Sequence, residues 1–222
     1  MERESANARA ILMVSMEPPA ALEEEFNDWY DTEHFPQRRA MPGFLSASRW
    51  ICLDGWPRWM ALYDLQDKTA LDSDVYRANA GERSTPWSRR LLPRTIGRRR
   101  VVAEAVPGQA APLAVQCASA KTARLVLAGI PVNTREEAAR VHAAATDALA
   151  SSTARDALLQ LRGFFEISPD SESDTQAAQG TAWLLAAFAT PVSRADLGAL
   201  TGRLAGRGAT TLNVYSAYHR GP

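Results

Sequence analysis

A tyrosine, two carboxylates and a histidine lie close together near the start of the chain, in the stretch WYDTEHFP. Histidine is the side chain that most readily exchanges a proton near neutral pH, and a neighbouring carboxylate can orient it or shift its pKa. We therefore expect His34 to act as a general acid or base with a pKa close to neutrality. Glu33 or Asp31 would orient or charge-tune the imidazole, and Tyr30 would contribute a hydroxyl group to the pocket.

These residues lie on a predicted amphipathic helix. At about 100° per residue, Phe26 and Trp29 form its apolar stripe, and Glu33 falls in line with them. Because a residue before proline is pushed out of the α region, Pro36 is predicted to end the helix. A carboxylate at that end opposes the helix dipole by ~0.3–1 kcal/mol, so a role in a pocket explains Glu33 better than helix stability does. The plainer alternative is that Glu33 bends into water while His34 caps a carbonyl group.

Four aromatic side chains are candidates for the walls of a binding pocket: Phe26 and Trp29 on the helix, and Trp50 and Trp59 on the strands that follow it. Buried tryptophans more often fill a core than bind a ligand. Trp50 and Trp59 lie on adjacent predicted strands, however, so they could line one cavity for an aromatic or polycyclic molecule. A small apolar or aromatic molecule is therefore the expected partner.

Composition argues against several other functions. Lys plus Arg and Asp plus Glu both number 25, so no net charge draws the chain to nucleic acid or to an anionic membrane. The arginine-rich segment 83–100 has one interleaved aromatic residue, Trp87, which favours a solvated face over a nucleic-acid site; a carboxylate-binding arginine near a pocket mouth is the alternative. The two cysteines have no metal-ligand spacing, so no metal site is expected. With no signal peptide and no apolar stretch of ~20 residues, the expected location is cytoplasmic.

The pattern of strands and helices divides the chain into two halves, residues 1–107 and 123–222, around a linker at 108–122 rich in Ala, Pro and Gln. Each half reads βαββαβ, the ferredoxin-like order. The predicted strands are 10–16, 43–53, 58–65 and 98–106 in the first half, and 124–132, 163–168, 182–190 and 210–219 in the second. The predicted helices of the second half are 134–150 and 193–206.

This order predicts an α+β fold in which two ferredoxin-like halves cover each other. A ferredoxin-like sheet carries helices on only one face, so its other face needs a partner. Two such antiparallel sheets can face each other and form an α+β barrel within one chain, with a cavity between them. The chain would then be a pseudo-dimer, and a further homodimer would be optional.

The segment FNDWYDTEHFPQRRAMPGFLSASRW, residues 26–50, resembles the signature of EthD-like members of the dimeric α+β barrel superfamily. In those proteins a helix ending in Glu-His-x-Pro leads through Pro-Gly-Phe into the second strand. The second half lacks this motif and has only His142 in its first helix. The resemblance implies a ferredoxin-like barrel with one site per chain, in a pocket between helix and sheet.

The same resemblance widens the choice of activities, because the superfamily includes cofactor-free monooxygenases, polyketide cyclases, lactone isomerases and haem enzymes. The EthD-like branch is tied to the degradation of organic compounds. We expect a cofactor-independent enzyme of cyclase, isomerase or monooxygenase type that acts on an apolar aromatic or polyketide-like compound. A ligand-binding or accessory protein without turnover is the first alternative. A haem enzyme, with His34 or another histidine as the iron ligand, is the second.

Overall fold

Eight antiparallel strands form a closed barrel in the computed structural model, which describes residues 8–107, 121–167, 180–193, 196–197 and 209–219. The strands are β1 (Ala10–Glu17), β2 (Phe44–Asp54), β3 (Trp59–Leu65), β4 (Ile96–Ala105), β5 (Arg124–Val132), β6 (Leu158–Ile167), β7 (Gly180–Phe188) and β8 (Thr211–Ala217). Their order around the barrel is β1-β3-β2-β8-β5-β7-β6-β4. The predicted α+β class and the closed barrel within one chain are confirmed.

Hydrophobic runs form the strands because most strands are covered on both faces. Along β3 every residue is buried. Met60 and Leu62 pack into the barrel interior, whereas Ala61 and Tyr63 pack under the helices outside it. Since successive side chains of a strand point to opposite faces, one apolar run supplies two separate cores.

The helices lie on the outside of the barrel. They are α1 (Glu23–Trp29), α2 (Phe35–Arg39), α3 (Asp74–Ala78), α4 (Pro86–Leu91) and α5 (Arg135–Ala150). Thr134 caps the N-terminus of α5 by accepting from the Glu137 N–H (3.1 Å), and Glu137 accepts from the Asn133 N–H (2.8 Å). Most of the helix predicted at 193–206, and most of the linker, lie outside the described residues. No described helix is long and apolar enough to cross a membrane.

Strands from the first and second halves of the chain pair with each other at two places in the barrel. Within the first half the strand order is β4-β1-β3-β2, and within the second it is β8-β5-β7-β6, which is the same order. The halves join where β2 pairs with β8, with Trp50 opposite Ala217, and where β4 pairs with β6, with Glu104 opposite Phe165. Each sheet therefore closes the open edges of the other.

One ion pair lies inside the barrel and links the two halves. The Arg162 guanidinium on β6 donates to the Asp64 carboxylate on β3, and only 3% of Arg162 and 5% of Asp64 is exposed. Ser46 on β2 donates to the other Asp64 oxygen (2.5 Å). Burial lowers the pKa of Arg162, and the Asp64 charge counteracts that effect. The pair is thus a charged crosslink in an otherwise largely apolar interior.

Candidate active site

The Glu-His motif lies in a single π-helical turn, Tyr30–His34, between α1 and α2. The Phe35 N–H donates to the Tyr30 carbonyl, five residues back. Pro36 follows this turn at the start of α2, and because it has no N–H it makes no helical hydrogen bond there. The prediction that Pro36 ends the helix is therefore wrong, since the wider turn absorbs the proline and the helix continues to Arg39. Single π-turns of this kind frequently occur at functional sites.

His34 is held between two aromatic rings. Its imidazole stacks on Trp29 (centroids 4.4 Å apart, 30° between planes) and meets Tyr30 edge-on (5.2 Å, 82°). Its Nδ1 atom is buried and has no hydrogen-bond partner in the described part of the chain. Burial, followed by the positive charges of Arg38 and Arg49, lowers the pKa of His34 to about 3. The expected pKa near neutrality is therefore wrong, and the imidazole is neutral at physiological pH.

Glu33 holds the surroundings of His34 in place. Its Oε1 atom accepts from Trp29 Nε1 (3.2 Å) and from Thr85 Oγ1 (2.5 Å). Thr85 also caps α4 by accepting from the Ser88 N–H (3.1 Å). Glu33 therefore ties α4 to the motif helix and fixes the indole on which His34 stacks. It orients the histidine through Trp29 instead of touching it.

Asp31 pairs with a buried arginine that the sequence analysis did not single out. The Arg49 guanidinium donates to Asp31 Oδ1 (2.5 Å) and to Asn27 Oδ1 (2.7 Å). It also faces three aromatic rings, those of Tyr30 (4.4 Å), Tyr218 (4.5 Å) and Trp59 (5.0 Å). This arginine fastens the π-turn to β2 and leaves its positive charge close to Tyr30.

Two further polar groups converge beneath the π-turn. The Tyr63 hydroxyl is buried without a partner among the described residues, and burial raises the pKa of Tyr63 well above its ordinary value. Burial likewise raises the pKa of Tyr30 to about 12, with Arg49 and Arg38 opposing the shift. Arg38 is 7% exposed and donates to the Asn79 carbonyl (2.8 Å). No carboxylate in the described part of the chain pairs with it, so its charge is available to an anion.

The aromatic candidates divide between the two faces of the sheet. Phe26, Trp29 and Trp59 pack in the cluster between helices and barrel. Trp50 packs inside the barrel, where its Nε1 donates to Ser48 (2.8 Å). The prediction that Trp50 and Trp59 line one cavity is wrong, because Trp59 pairs with Ile51, the neighbour of Trp50, so the two indoles point to opposite faces.

The described residues include no obvious metal cluster. No group of three or more His, Cys, Asp or Glu side chains among them could hold a metal ion. Two histidines that could ligate a haem iron are both crowded by neighbouring groups. The ring centroids of Trp29 and Tyr30 lie 4.4 and 5.2 Å from that of His34. His142 on α5 lies against Gly163, where an added Cβ would come within 2.7 Å of its ring.

The low pKa of His34 predicts acid sensitivity. Its folded-state pKa, about 3, lies below the ordinary 6.5, so between these values the unfolded chain binds a proton that the folded chain does not. The stability it contributes is complete above pH 6.5 and is lost as pH falls toward 3, by at most about 1.4 kcal/mol per pH unit. Urea unfolding at several pH values should show a shallower acid loss for His34→Gln than for the parent chain. Exposed His219, changed to Gln, is the control, and equal slopes for His34→Gln and the parent would contradict the assignment.

Comparison with known proteins informs the fold. No protein-family model matches the sequence, and no curated protein matches it significantly. An anthrone oxidase-like protein has a TM-score of 0.60 at 11% identity, over 99% of this chain and 94% of its own. A candidate monooxygenase from Fusobacterium nucleatum has a TM-score of 0.54 at 7% identity, over 96% and 94%.

A third solved structure extends the likeness to a chlorite dismutase. A mutant chlorite dismutase from Candidatus Nitrospira defluvii has a TM-score of 0.54 at 7% identity, over 97% of this chain and 92% of its own. At these identities the likeness shows the fold alone. The chain therefore shares the fold of these proteins, as an eight-stranded barrel that is closed within a single polypeptide.

Proposed function

We propose that the chain is a small-molecule enzyme that removes a proton from an oxygen-bearing aromatic or polyketide-like compound and stabilises the resulting anion. The observation that carries this proposal is a group of buried polar side chains under the π-turn that lack a hydrogen-bond partner or a counter-ion. His34 Nδ1 and the Tyr63 hydroxyl are buried without partners in the described chain. Arg38 donates to the Asn79 carbonyl but has no carboxylate partner among the described residues. Buried polar groups are almost always paired, so the first two favour a polar ligand, and the Arg38 charge favours one with an anionic oxygen.

His34 serves as the base in this scheme. Its neutral imidazole takes a proton from an acidic C–H or O–H of the substrate, and the electron pair left behind delocalises onto the substrate oxygen. Arg38 and the Tyr63 hydroxyl stabilise that oxyanion. The anion in turn raises the pKa of His34, because an opposite charge within ~4–6 Å favours the imidazolium. A base that is weak in the free protein therefore becomes stronger as the transition state develops.

The other motif residues have positioning roles. Glu33 fixes Trp29 by a hydrogen bond (3.2 Å), and Asp31 holds Arg49 (2.5 Å). Tyr30 forms the wall between His34 and the Arg49 guanidinium. Phe26 and Trp59 complete the aromatic lining, whereas Trp50 takes no part because it lies on the other face of the sheet. His34 itself is only half-buried, so the site reaches the surface at the π-turn.

Formation of an enolate or phenolate is the first step of three reaction types: cyclisation of a polyketide, isomerisation of a double bond, and oxygenation of a phenol. We include all three, within a degradative pathway for organic compounds. The anthrone oxidase-like and candidate monooxygenase neighbours share the fold and support this substrate class. No cofactor enters the scheme.

The origin of the barrel is part of the proposal. The shared strand order, β4-β1-β3-β2 and β8-β5-β7-β6, supports two ferredoxin-like halves, residues 1–107 and 123–222, that arose by duplication. The Glu-His-x-Pro motif on the π-turn supports an EthD-like assignment for the first half.

A ligand-binding protein without turnover is the second candidate. It is favoured by the tight stacking of His34 on Trp29 (4.4 Å), which leaves the imidazole little freedom to follow a reacting atom. This candidate and the enzyme share one pocket and differ only in whether a proton is transferred.

The experiment that separates them is hydrogen–deuterium exchange at the acidic methylene of anthrone, followed by proton NMR in D₂O under argon. Exchange reports proton removal directly and needs no oxidant. The parent chain should accelerate it. His34→Gln should reduce the acceleration by about 100-fold, since general base catalysis contributes about 10²–10⁴-fold. Arg38→Met and Tyr63→Phe should each reduce it by about tenfold, because each removes one hydrogen bond to the oxyanion.

Two matched variants serve as controls. His142→Gln removes a histidine from the second half, and Arg39→Met removes an exposed arginine next to Arg38 on α2. Both should exchange anthrone at the parent rate. Saturable binding of anthrone with no accelerated exchange would favour the binding protein. Acceleration that persists in His34→Gln would remove His34 from the mechanism.

A further inference from the structure

A cavity of about 160 Å³ lies inside the barrel at one end. Its apolar walls come from Met13, Met60, Val101, Leu127 and Trp183. These side chains belong to the interior cluster, on the opposite face of the sheet from the helices. The cavity is therefore separate from the His34 site, and an inference about it does not depend on the proposed function.

The cavity has one polar side with a positive charge. The Arg99 guanidinium lies over the Trp183 ring (4.6 Å) and donates to Thr211 Oγ1 (3.3 Å). Among the described residues no carboxylate forms an ion pair with it. The Tyr215 hydroxyl accepts from Asn213 Nδ2 (2.8 Å), so its own proton can be donated to a ligand.

The Trp183 ring between these groups is held firmly. Its Nε1 atom donates to Glu166 Oε2 (2.8 Å). Burial raises the pKa of the Glu166 carboxyl, and the nearby Arg99 charge partly opposes that shift. The indole therefore presents a fixed aromatic wall with a cation above it.

A loop between β2 and β3 covers the mouth of the cavity. Trp56 and Pro57 line the cavity from this loop. The Trp56 ring lies so close to Gly97 that an added Cβ there would be 1.8 Å from it, and Gly97 has a positive φ of 59°. Asn213 Nδ2 donates to the Trp56 carbonyl (3.1 Å), which fastens the loop to β8. The absence of a side chain at Gly97 therefore leaves room for the Trp56 ring at the cavity.

We propose that this cavity is a second ligand site, which takes a single-ring aromatic carboxylate with its ring in the barrel interior and its carboxylate on Arg99. The size fits, because an apolar cavity of about 150 Å³ binds benzene. The chemistry also fits: thioether sulfur atoms, here of Met13 and Met60, make favourable contacts with aromatic rings. A guanidinium and a hydroxyl match the two oxygens of a carboxylate.

The test uses the full chain and two probes of the same shape, benzoate and uncharged benzamide, with binding measured by calorimetry. Benzoate should bind at one saturable site, about three- to fivefold more tightly than benzamide, because an ion pair with an exposed arginine contributes up to ~1 kcal/mol. Arg99→Met should weaken benzoate binding by about three- to fivefold and leave benzamide binding unchanged. Arg98→Met, which changes the adjacent arginine on β4, should behave as the parent does.

Further variants separate the two sites. Arg38→Met and His34→Gln should leave benzoate binding in the barrel unchanged, whereas Leu127→Phe or Val101→Phe should abolish it by filling the cavity. Thermal unfolding establishes that each variant is folded. The proposal is overturned if benzoate does not bind at millimolar concentration, if Arg99→Met binds benzoate as the parent does, or if Arg38→Met alone removes binding. This last result would place benzoate at the His34 site.

Discussion

Replacing Asp64 with alanine is expected to lower the free energy of unfolding by about 3–5 kcal/mol, because it leaves the buried guanidinium of Arg162 without a counter-charge. Ser46 loses its acceptor in the same step. Urea unfolding followed by circular dichroism measures the change. Asp72, which is exposed on the first half, gives the matched control as Asp72→Ala and should differ from the parent by less than ~0.5 kcal/mol.

The double variant Asp64→Leu with Arg162→Met distinguishes a lost ion pair from a general loss of packing. Replacing a buried pair by apolar residues of similar volume is often neutral or stabilising. The double variant should therefore be more stable than Asp64→Ala and close to the parent chain. A single-variant loss below ~1 kcal/mol would mean that water reaches Arg162, and the crosslink between the halves would carry little free energy.

Expressing residues 1–107 and 123–222 as separate chains should give two fragments that are insoluble or only partly folded. Each fragment would expose its face of the interior cluster, together with two unpaired strand edges: β2 and β4 in one, β6 and β8 in the other. Apolar patches above a few hundred Å² and open edges both promote association. Sedimentation and urea unfolding of each fragment measure the outcome.

Coexpression of the two fragments is the control, because it restores the β2–β8 and β4–β6 pairings without the covalent link. The mixture should be more soluble than either fragment and should unfold cooperatively. Two monomeric fragments that each unfold cooperatively alone would contradict the interdependence of the sheets.

Much of the fold was predictable because the strands are long apolar runs bounded by turns. β5 (Arg124–Val132) was placed without error, and β3 (Trp59–Leu65) to within one residue. β6 begins at Leu158, five residues before the predicted start at Gly163. The segment LLQLR, residues 158–162, contains no small residues that would form a turn, so it continues the strand. The helices α3 and α4 are short, with five and six residues each.

The candidate site was predictable only in part, because its chemistry depends on burial and on tertiary contacts. Arg49 could have been identified from the sequence of its strand, because it places a charge between Ala47 and Ile51 on an otherwise apolar face. Arg38 and Tyr63 could not have been identified in this way, since nothing in the residues next to them indicates that they lie under a π-turn. The pKa of His34 depends first on burial and then on two arginines that lie on other elements, Arg38 on α2 and Arg49 on β2. A local motif therefore identified the residues but not their protonation.

The pairing of β2 with β8 also determines when the first sheet can be completed during synthesis. β2 ends at Asp54, and its partner β8 begins at Thr211, about 160 residues later. At about 5–20 residues per second, the ribosome takes roughly 8–30 s to supply that partner. Throughout this interval the first sheet has an unpaired β2 edge and an uncovered apolar face, both of which promote association with other nascent chains. We therefore expect a chaperone, or slow initiation that keeps neighbouring ribosomes apart until β8 has emerged, to increase the yield of folded protein.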